Sequence, residues 1–173
     1  MAISLYDVSV SNYVQTLGAV SHFLEKSAKH FREHGTDPNE LVGVRLYPDM
    51  LPFRYQIQAV VHHSVSALAA LKTGTFTPAS SHPQHDYAEL QAHVQEAQAT
   101  LQKVTPDEVN GQEAVEVNFQ VGPNTLRFTG ADFILSFSLP NFHFHATTAY
   151  DILRSKGAPL GKRDYMGRVR LKR

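Results

Sequence analysis

Residues 139–154 read LPNFHFHATTAYDILR, and this stretch decides the fold. It is long and apolar enough to form a helix at the centre of a helical bundle. Four residues interrupt the apolar pattern, namely Pro140, Asn141, His143 and His145. Because burying an unpartnered polar group costs about 1–3 kcal/mol, these polar residues need partners. The stretch therefore predicts the central helix of the fold and marks the place to look for a functional site.

Apolar residues recur at helical spacing in three further segments, which predict helices at about 11–34, at about 50–72 and from residue 86 onward. Asp49 is interpreted as the cap of the second helix, and Asp86 with Glu89 forms a capping box for the third. The stretches EAVEVNFQV and TLRFTG predict a β-hairpin, and the last helix is predicted at about 131–156. The predicted fold is mainly all-α, a four-helix bundle with a small β-hairpin before the last helix.

The composition excludes several classes of protein. The chain has 173 residues and no cysteine, so disulfides, zinc–thiolate sites and cysteine nucleophiles are excluded. No apolar run reaches the roughly 18 residues that span a bilayer, so no membrane association is expected. The first residues, MAISLYDVSV, lack the pattern of a signal peptide. These observations predict a cytoplasmic protein.

The net charge is zero, but it is unevenly distributed. Residues 162–173 contain six basic residues and one acidic residue, Asp164. We predict one domain over residues 1–167, followed by a basic C-terminal tail, residues 168–173. Such a tail either contacts nucleic acid or is solvated and folds back on its own domain. The second interpretation is favoured, so nucleic acid is not expected as a partner.

The last helix has two apolar sides when its residues are placed at 100° intervals. One side carries Asn141 and His145, which lie four residues apart, whereas His143 points elsewhere. Pro140 removes a backbone donor and predicts a kink, which is either simply tolerated or shapes a cavity beside Asn141 and His145. The second side consists of Leu135, Leu139, Phe142, Ala149 and Leu153. Because a bundle helix normally keeps one face in solvent, this second side predicts a homodimer formed through the last helix.

His145 and Asn141 are the candidate catalytic residues, with His145 as a general base or metal ligand and Asn141 orienting a substrate. The alternative is a hydrogen-bonded polar pair in the core. A divalent metal, zinc or nickel, would use His145 and His62, although helical periodicity turns His62 outward. Ligand contacts are also considered for four residues, Asp49, Tyr150, Lys162 and Arg163. Lys162 and Arg163 either attract an anionic ligand or hold the tail against the bundle.

Three stretches are similar to a known family, namely LYPDMLPFRYQIQ, FTGADFILSFSLPNFHFHATTAYDILRSKG and GKRDYMG. They resemble the bacterial family of unknown function DUF1993, which is grouped with the DinB/YfiT-like proteins. The resemblance covers nearly the whole chain and implies a DinB-like four-helix bundle that is often dimeric. Many DinB-like proteins bind a divalent metal through three histidines, one on the second helix and two, spaced HxxxH, on the last. Some are thiol-dependent transferases or isomerases.

The resemblance transfers only part of this metal site to the chain. His145 matches the second histidine of the HxxxH pair, and Asn141 stands where the first would be. The histidine of the second helix would fall near Val60 or Val61, while helical spacing turns His62 and His63 to other sides. Two hypotheses follow. One is a metal-dependent or small-ligand enzyme with a cleft near Pro140 and His145. The other is a non-catalytic dimeric bundle that binds a small molecule or a protein.

Overall fold

Four helices form the bundle in the computed structural model, which describes residues 3–79 and 83–172. Helix α1 is Val10–Glu33, α2 covers residues 53–73, α3 is Tyr87–Leu101 and α4 covers residues 130–155. Short helical segments lie at Leu5–Val8, Pro38–Leu41, Pro106–Val109 and Lys162–Met166. None of the helices in the described ranges is long and apolar enough to cross a membrane. The predicted mainly α fold is confirmed.

The helix ends follow local capping chemistry. The Asp86 carboxylate accepts a hydrogen bond from the Glu89 backbone N–H, and the Glu89 carboxylate accepts one from the Asp86 N–H, both at 2.8 Å. This is the predicted capping box. The predicted cap of the second helix was wrong, because α2 begins at Phe53 with Pro52 as its cap residue. Asp49 lies exposed in the preceding turn.

Two of the bundle helices contain a π-helical turn. In α2 it is His62–Ser66, between the α-helical parts Phe53–Val61 and Ala67–Thr73. In α4 it is Phe133–Ser138, between Gly130–Asp132 and Leu139–Ser155. The Leu139 N–H donates to the Ile134 carbonyl, five residues back, just before Pro140. The irregularity predicted at this proline is thus a widened turn that precedes it.

A three-stranded sheet covers one side of the bundle. Strand β1, Thr75–Phe76, pairs in parallel with β2, Glu116–Val121, which pairs antiparallel with β3, Asn124–Thr129. The predicted hairpin is confirmed, while β1 was not predicted, because two residues carry no periodicity. Gly130 joins β3 to α4 at a point where the backbone of Gln112 comes very close. A Cβ on residue 130 would lie 2.1 Å from the Gln112 carbonyl oxygen. This close approach fixes the start of α4 beneath the sheet.

The second apolar side of α4 is largely covered within the chain. Phe142, Ala149 and Leu153 are fully buried, whereas Leu135 is 50% exposed. The ring of Tyr13 in α1 meets the ring of Phe142 edge-on at 4.9 Å between centroids. Buried residues of the C-terminal segment, Ala158 and Leu160, also join this core. Of these four residues of α4, Leu135 is the one that stays accessible to a second copy of the chain.

Candidate functional site

A cavity of about 350 Å³ lies between α2, α4 and the sheet. Three phenylalanines from three different elements contribute apolar walls: Phe76 of β1, Phe119 of β2 and Phe137 of α4. Polar side chains come from the two helices. Among the residues that the structure describes, the lining consists of Tyr55, Gln58, Ala59, His62, His63, Phe76, Pro78, Ala79, Phe119, Phe137, Asn141 and His145. The cavity combines apolar walls with a few polar groups, as small-molecule sites do.

Two histidines face each other across the helix interface at this cavity. The rings of His63 in α2 and His145 in α4 are nearly parallel, at 16°, with 5.7 Å between their centroids. Nδ1 of His145 lies 2.8 Å from Oε1 of Gln56. Since an amide oxygen only accepts, Nδ1 carries the proton and Nε2 of His145 is left as an acceptor. Nδ1 of His63 is buried and has no hydrogen-bond partner among the described residues.

Both imidazoles are neutral at pH 7. Burial, followed by the nearby His145 and His62 rings, lowers the pKa of His63 to about 3. Burial lowers the pKa of His145 to about 4. The charged form of a buried imidazole loses its hydration, and no carboxylate is present among the described lining residues to compensate. The cavity therefore presents uncharged ring nitrogens.

His63 lies on the side of α2 that carries Gln56 and Ala59, seven and four residues earlier. The sequence prediction turned His63 to another side, because it placed the inner side of α2 near Val60 and Val61. His63 is also the second residue of the π-turn His62–Ser66, which holds one extra residue. The turn is held in place by Ser138 of α4, whose hydroxyl donates to the His63 carbonyl at 2.6 Å. The Tyr13 hydroxyl lies 2.6 Å from Ser138 Oγ, so this contact is anchored to α1 as well.

The structure brings together the predicted residues His145, Asn141 and His62. The Asn141 amide donates to the Phe137 carbonyl at 2.8 Å, one turn earlier in α4. His62 was expected at the surface, yet it lines the cavity, with Nε2 2.9 Å from the Thr77 carbonyl oxygen. Its ring lies 4.6 Å from that of Phe76. The loop after α2 thus folds back over His62 and makes it part of the wall.

Sequence reasoning missed Gln58 and the three phenylalanines, and it considered His63 but turned it to another side. Gln58 is buried; its Nε2 donates to the Pro83 carbonyl at 2.7 Å, while its Oε1 has no partner among the described residues. A signal was present in the segment FRYQIQAVV, where Gln56 and Gln58 flank a buried isoleucine. Two amides beside the most apolar part of a helix indicate a polar site in the core.

The other predicted ligand-binding residues lie away from this cavity. Asp49 is exposed before α2, and Tyr150 packs edge-on against Phe23 and Tyr165. Lys162 and Arg163 are exposed in the short helix Lys162–Met166. Arg163 lines a separate groove on α1. The structure does not bring these four residues together with His145.

The short C-terminal helix is held on α1 by Asp164. Its carboxylate accepts from Lys26 Nζ at 2.9 Å and from the Gly161 N–H at 2.7 Å. His22 Nε2 lies 3.4 Å from the same carboxylate. The predicted attachment of this segment to the bundle therefore depends on the acidic residue, and the side chains of Lys162 and Arg163 make no hydrogen bond within the described ranges.

The three-histidine metal site implied by the family resemblance does not fit the residues present. In residues 3–79 and 83–172 no group of three or more His, Asp or Glu side chains could hold a metal ion. His63 and His145 face each other, but their rings stack in parallel and do not converge on a common point. Asn141 stands where the first histidine of the HxxxH pair would be, and its amide is bonded to the backbone. We derive no chemistry through a metal.

Comparison with known proteins agrees with this fold. A family model described as "Domain of unknown function (DUF1993)" matches residues 5–166. The chain is also similar to a solved structure described as a DinB family member protein from Shewanella denitrificans, with 25% identity and a TM-score of 0.80. The similarity covers 98% of this chain and 95% of that chain. No curated protein matches. The expected DinB-like fold is confirmed.

Proposed function

The chain belongs to the family described as "Domain of unknown function (DUF1993)", and we propose that it binds a small molecule in the cavity between α2, α4 and the sheet. The observation that carries this proposal is the position of the unpartnered polar atoms. Within the described ranges, three buried side-chain polar atoms lack a hydrogen-bond partner, and two of them, Gln58 Oε1 and His63 Nδ1, belong to cavity-lining residues. Buried polar groups are almost always satisfied in native proteins, so a bound molecule accounts for both atoms.

The site is better suited to binding than to proton abstraction. A general base works best with a pKa near the operating pH, whereas the pKa of His145 is lowered to about 4. His145 Nε2 instead offers a neutral acceptor, with Asn141 beside it on the same helix. If the protein is an enzyme, we propose that His145 and Asn141 orient the substrate by hydrogen bonds. This role differs from the general-base role first considered for His145.

Filling the cavity from one wall tests the proposal. Ala59 is 5% exposed and lines the cavity, whereas Ala69 lies exposed on the same helix. In an NMR screen of small aromatic and aliphatic fragments, we expect hits for the wild-type protein that Ala59→Leu weakens at least tenfold. Ala69→Leu should retain them. Hits that survive in folded Ala59→Leu would contradict the proposal, as would stoichiometric zinc or nickel in the purified protein that His145→Ala removes.

A homodimer through α4 and a cytoplasmic location stay predictions. Leu135 is the member of the predicted interface that is half exposed. We expect sedimentation velocity at micromolar concentration to give a dimer for the wild type and a monomer for Leu135→Ser. Phe144→Ser, which removes another exposed apolar side chain of α4, serves as the control and should leave the dimer intact. A monomeric wild type would refute the interface.

A further inference from the structure

We infer that the ligand of this cavity is an uncharged, flat aromatic molecule of one or two rings that carries an N–H or O–H donor. This inference rests on the proposed function and specifies its ligand. Three properties of the lining lead to it: the arrangement of the aromatic rings, the absence of charge and the kind of polar atom left unpartnered. Each property restricts the ligand independently.

The rings of Phe76, Phe119 and Phe137 form one continuous aromatic wall. Their centroids are 5.5 Å apart for Phe76 and Phe119, 4.7 Å for Phe119 and Phe137, and 5.9 Å for Phe76 and Phe137. Aromatic pairs at such separations attract one another through stacked or edge-on arrangements, beyond the effect of area burial. A flat ring inserted beside this wall makes the same contacts. An aliphatic chain of equal size gains only the burial.

The described residues that line the cavity include no Asp, Glu, Lys or Arg. A carboxylate or phosphate that entered would lose its hydration without gaining a cation in return, which is strongly unfavourable. An ammonium group would likewise find no carboxylate. The facing His63 and His145 rings are neutral at pH 7 and supply no charge to either. The lining therefore selects against charged ligands.

The unpartnered polar atoms specify a donor on the ligand. Gln58 Oε1 only accepts hydrogen bonds, and the amide nitrogen of the same side chain is already bonded to the Pro83 carbonyl. His145 Nε2 is a second acceptor, because Nδ1 of that ring is engaged by Gln56. A ligand without a donor would leave Gln58 Oε1 unsatisfied, which weakens binding by about tenfold. The volume of about 350 Å³ accommodates one or two aromatic rings.

Indole and two close analogues test the inference by calorimetric or NMR titration of the full chain. Benzofuran has the shape of indole but replaces the N–H donor by an ether oxygen, and indole-3-carboxylate adds a negative charge. We expect indole to bind about tenfold or more tightly than benzofuran, because an unsatisfied buried acceptor weakens binding by about this factor. We expect a difference of at least about tenfold from indole-3-carboxylate as well, because its charge loses hydration in the cavity. Gln58→Met, which keeps the length of the side chain, should bring indole and benzofuran closer together, while Gln84→Met, at an exposed position, should not.

Failure of the inferred ligand class can be distinguished from failure of the proposed function. If aromatic fragments bind and Ala59→Leu displaces them, but benzofuran or the carboxylate binds as tightly as indole, the ligand class is overturned and the proposed function stands. If no compound binds at a site sensitive to Ala59→Leu, both are overturned. Should Gln58→Met fail to fold, the comparison of the three compounds on the wild-type protein still decides.

Discussion

Phe142→Ala should lower the free energy of unfolding by about 3–5 kcal/mol, whereas Phe144→Ala should change it by less than about 0.5 kcal/mol. The two residues are separated by one position in α4, yet Phe142 is fully buried and Phe144 is 56% exposed. Truncating Phe142 removes its edge-on contact with Tyr13 and leaves a cavity between α1 and α4. Denaturant unfolding of the two variants beside the wild type measures the difference.

This pair of variants also tests how α4 is oriented. Sequence periodicity placed Phe144 on the inward side with His145 and placed Phe142 on the predicted dimer side. The structure reverses their exposure because α4 packs against α1 and the C-terminal segment as well as against α2. Equal losses of stability for the two variants, or a larger loss for Phe144→Ala, would contradict the observed orientation.

Acidification from pH 7 to pH 4 should destabilise the protein by several kcal/mol through His63 and His145. Their folded-state pKa values, about 3 and about 4, lie below the value of about 6.5 expected in the unfolded chain. The unfolded state therefore binds more protons, and stability falls as the pH decreases below about 6.5 toward the folded pKa values. At about 1.4 kcal/mol for each pKa unit, His145 alone contributes roughly 3 kcal/mol over this range.

Variants at His63 separate this effect from the general acid sensitivity of carboxylates. Denaturant unfolding measured from pH 7 to pH 4 should show a shallower loss of stability for His63→Leu than for the wild type. His34→Gln, which removes an exposed histidine near the end of α1, is the matched control and should follow the wild-type curve. Identical curves for all three proteins would show that the His63 ring is not buried against His145.

The helices, the cap of α3 and the hairpin could be predicted because each depends on local sequence. The Asp86–Glu89 capping box and the alternation in β2 are examples, since their hydrogen bonds and burial follow from residues a few positions apart. The last helix could be identified as central from its apolar content. His145 and Asn141 could also be singled out, because polar residues within an apolar helix need hydrogen-bond partners.

The rest of the site depends on contacts that local patterns do not encode. The π-turn His62–Ser66 is supported by a hydrogen bond from Ser138 to the His63 carbonyl, 75 residues away along the chain. Strand β1 exists only because Thr75–Phe76 pairs with β2. Its Phe76 then joins Phe119 and Phe137 in the cavity wall. A helical projection at a constant 100° reveals neither the π-turn nor β1, and it does not show which side of α2 faces the sheet, so Gln58 was missed and His63 was set aside.

The histidine-ring resonances of the protein during titration with indole test the central claim most directly. If the cavity is the ligand site, the ring signals of His63 and His145 shift together and saturate, while the signals of His22, which lines the separate groove on α1, stay unchanged. Shifts at His22 without shifts at His63 and His145, or no saturable shift at either histidine of the cavity, would contradict the account.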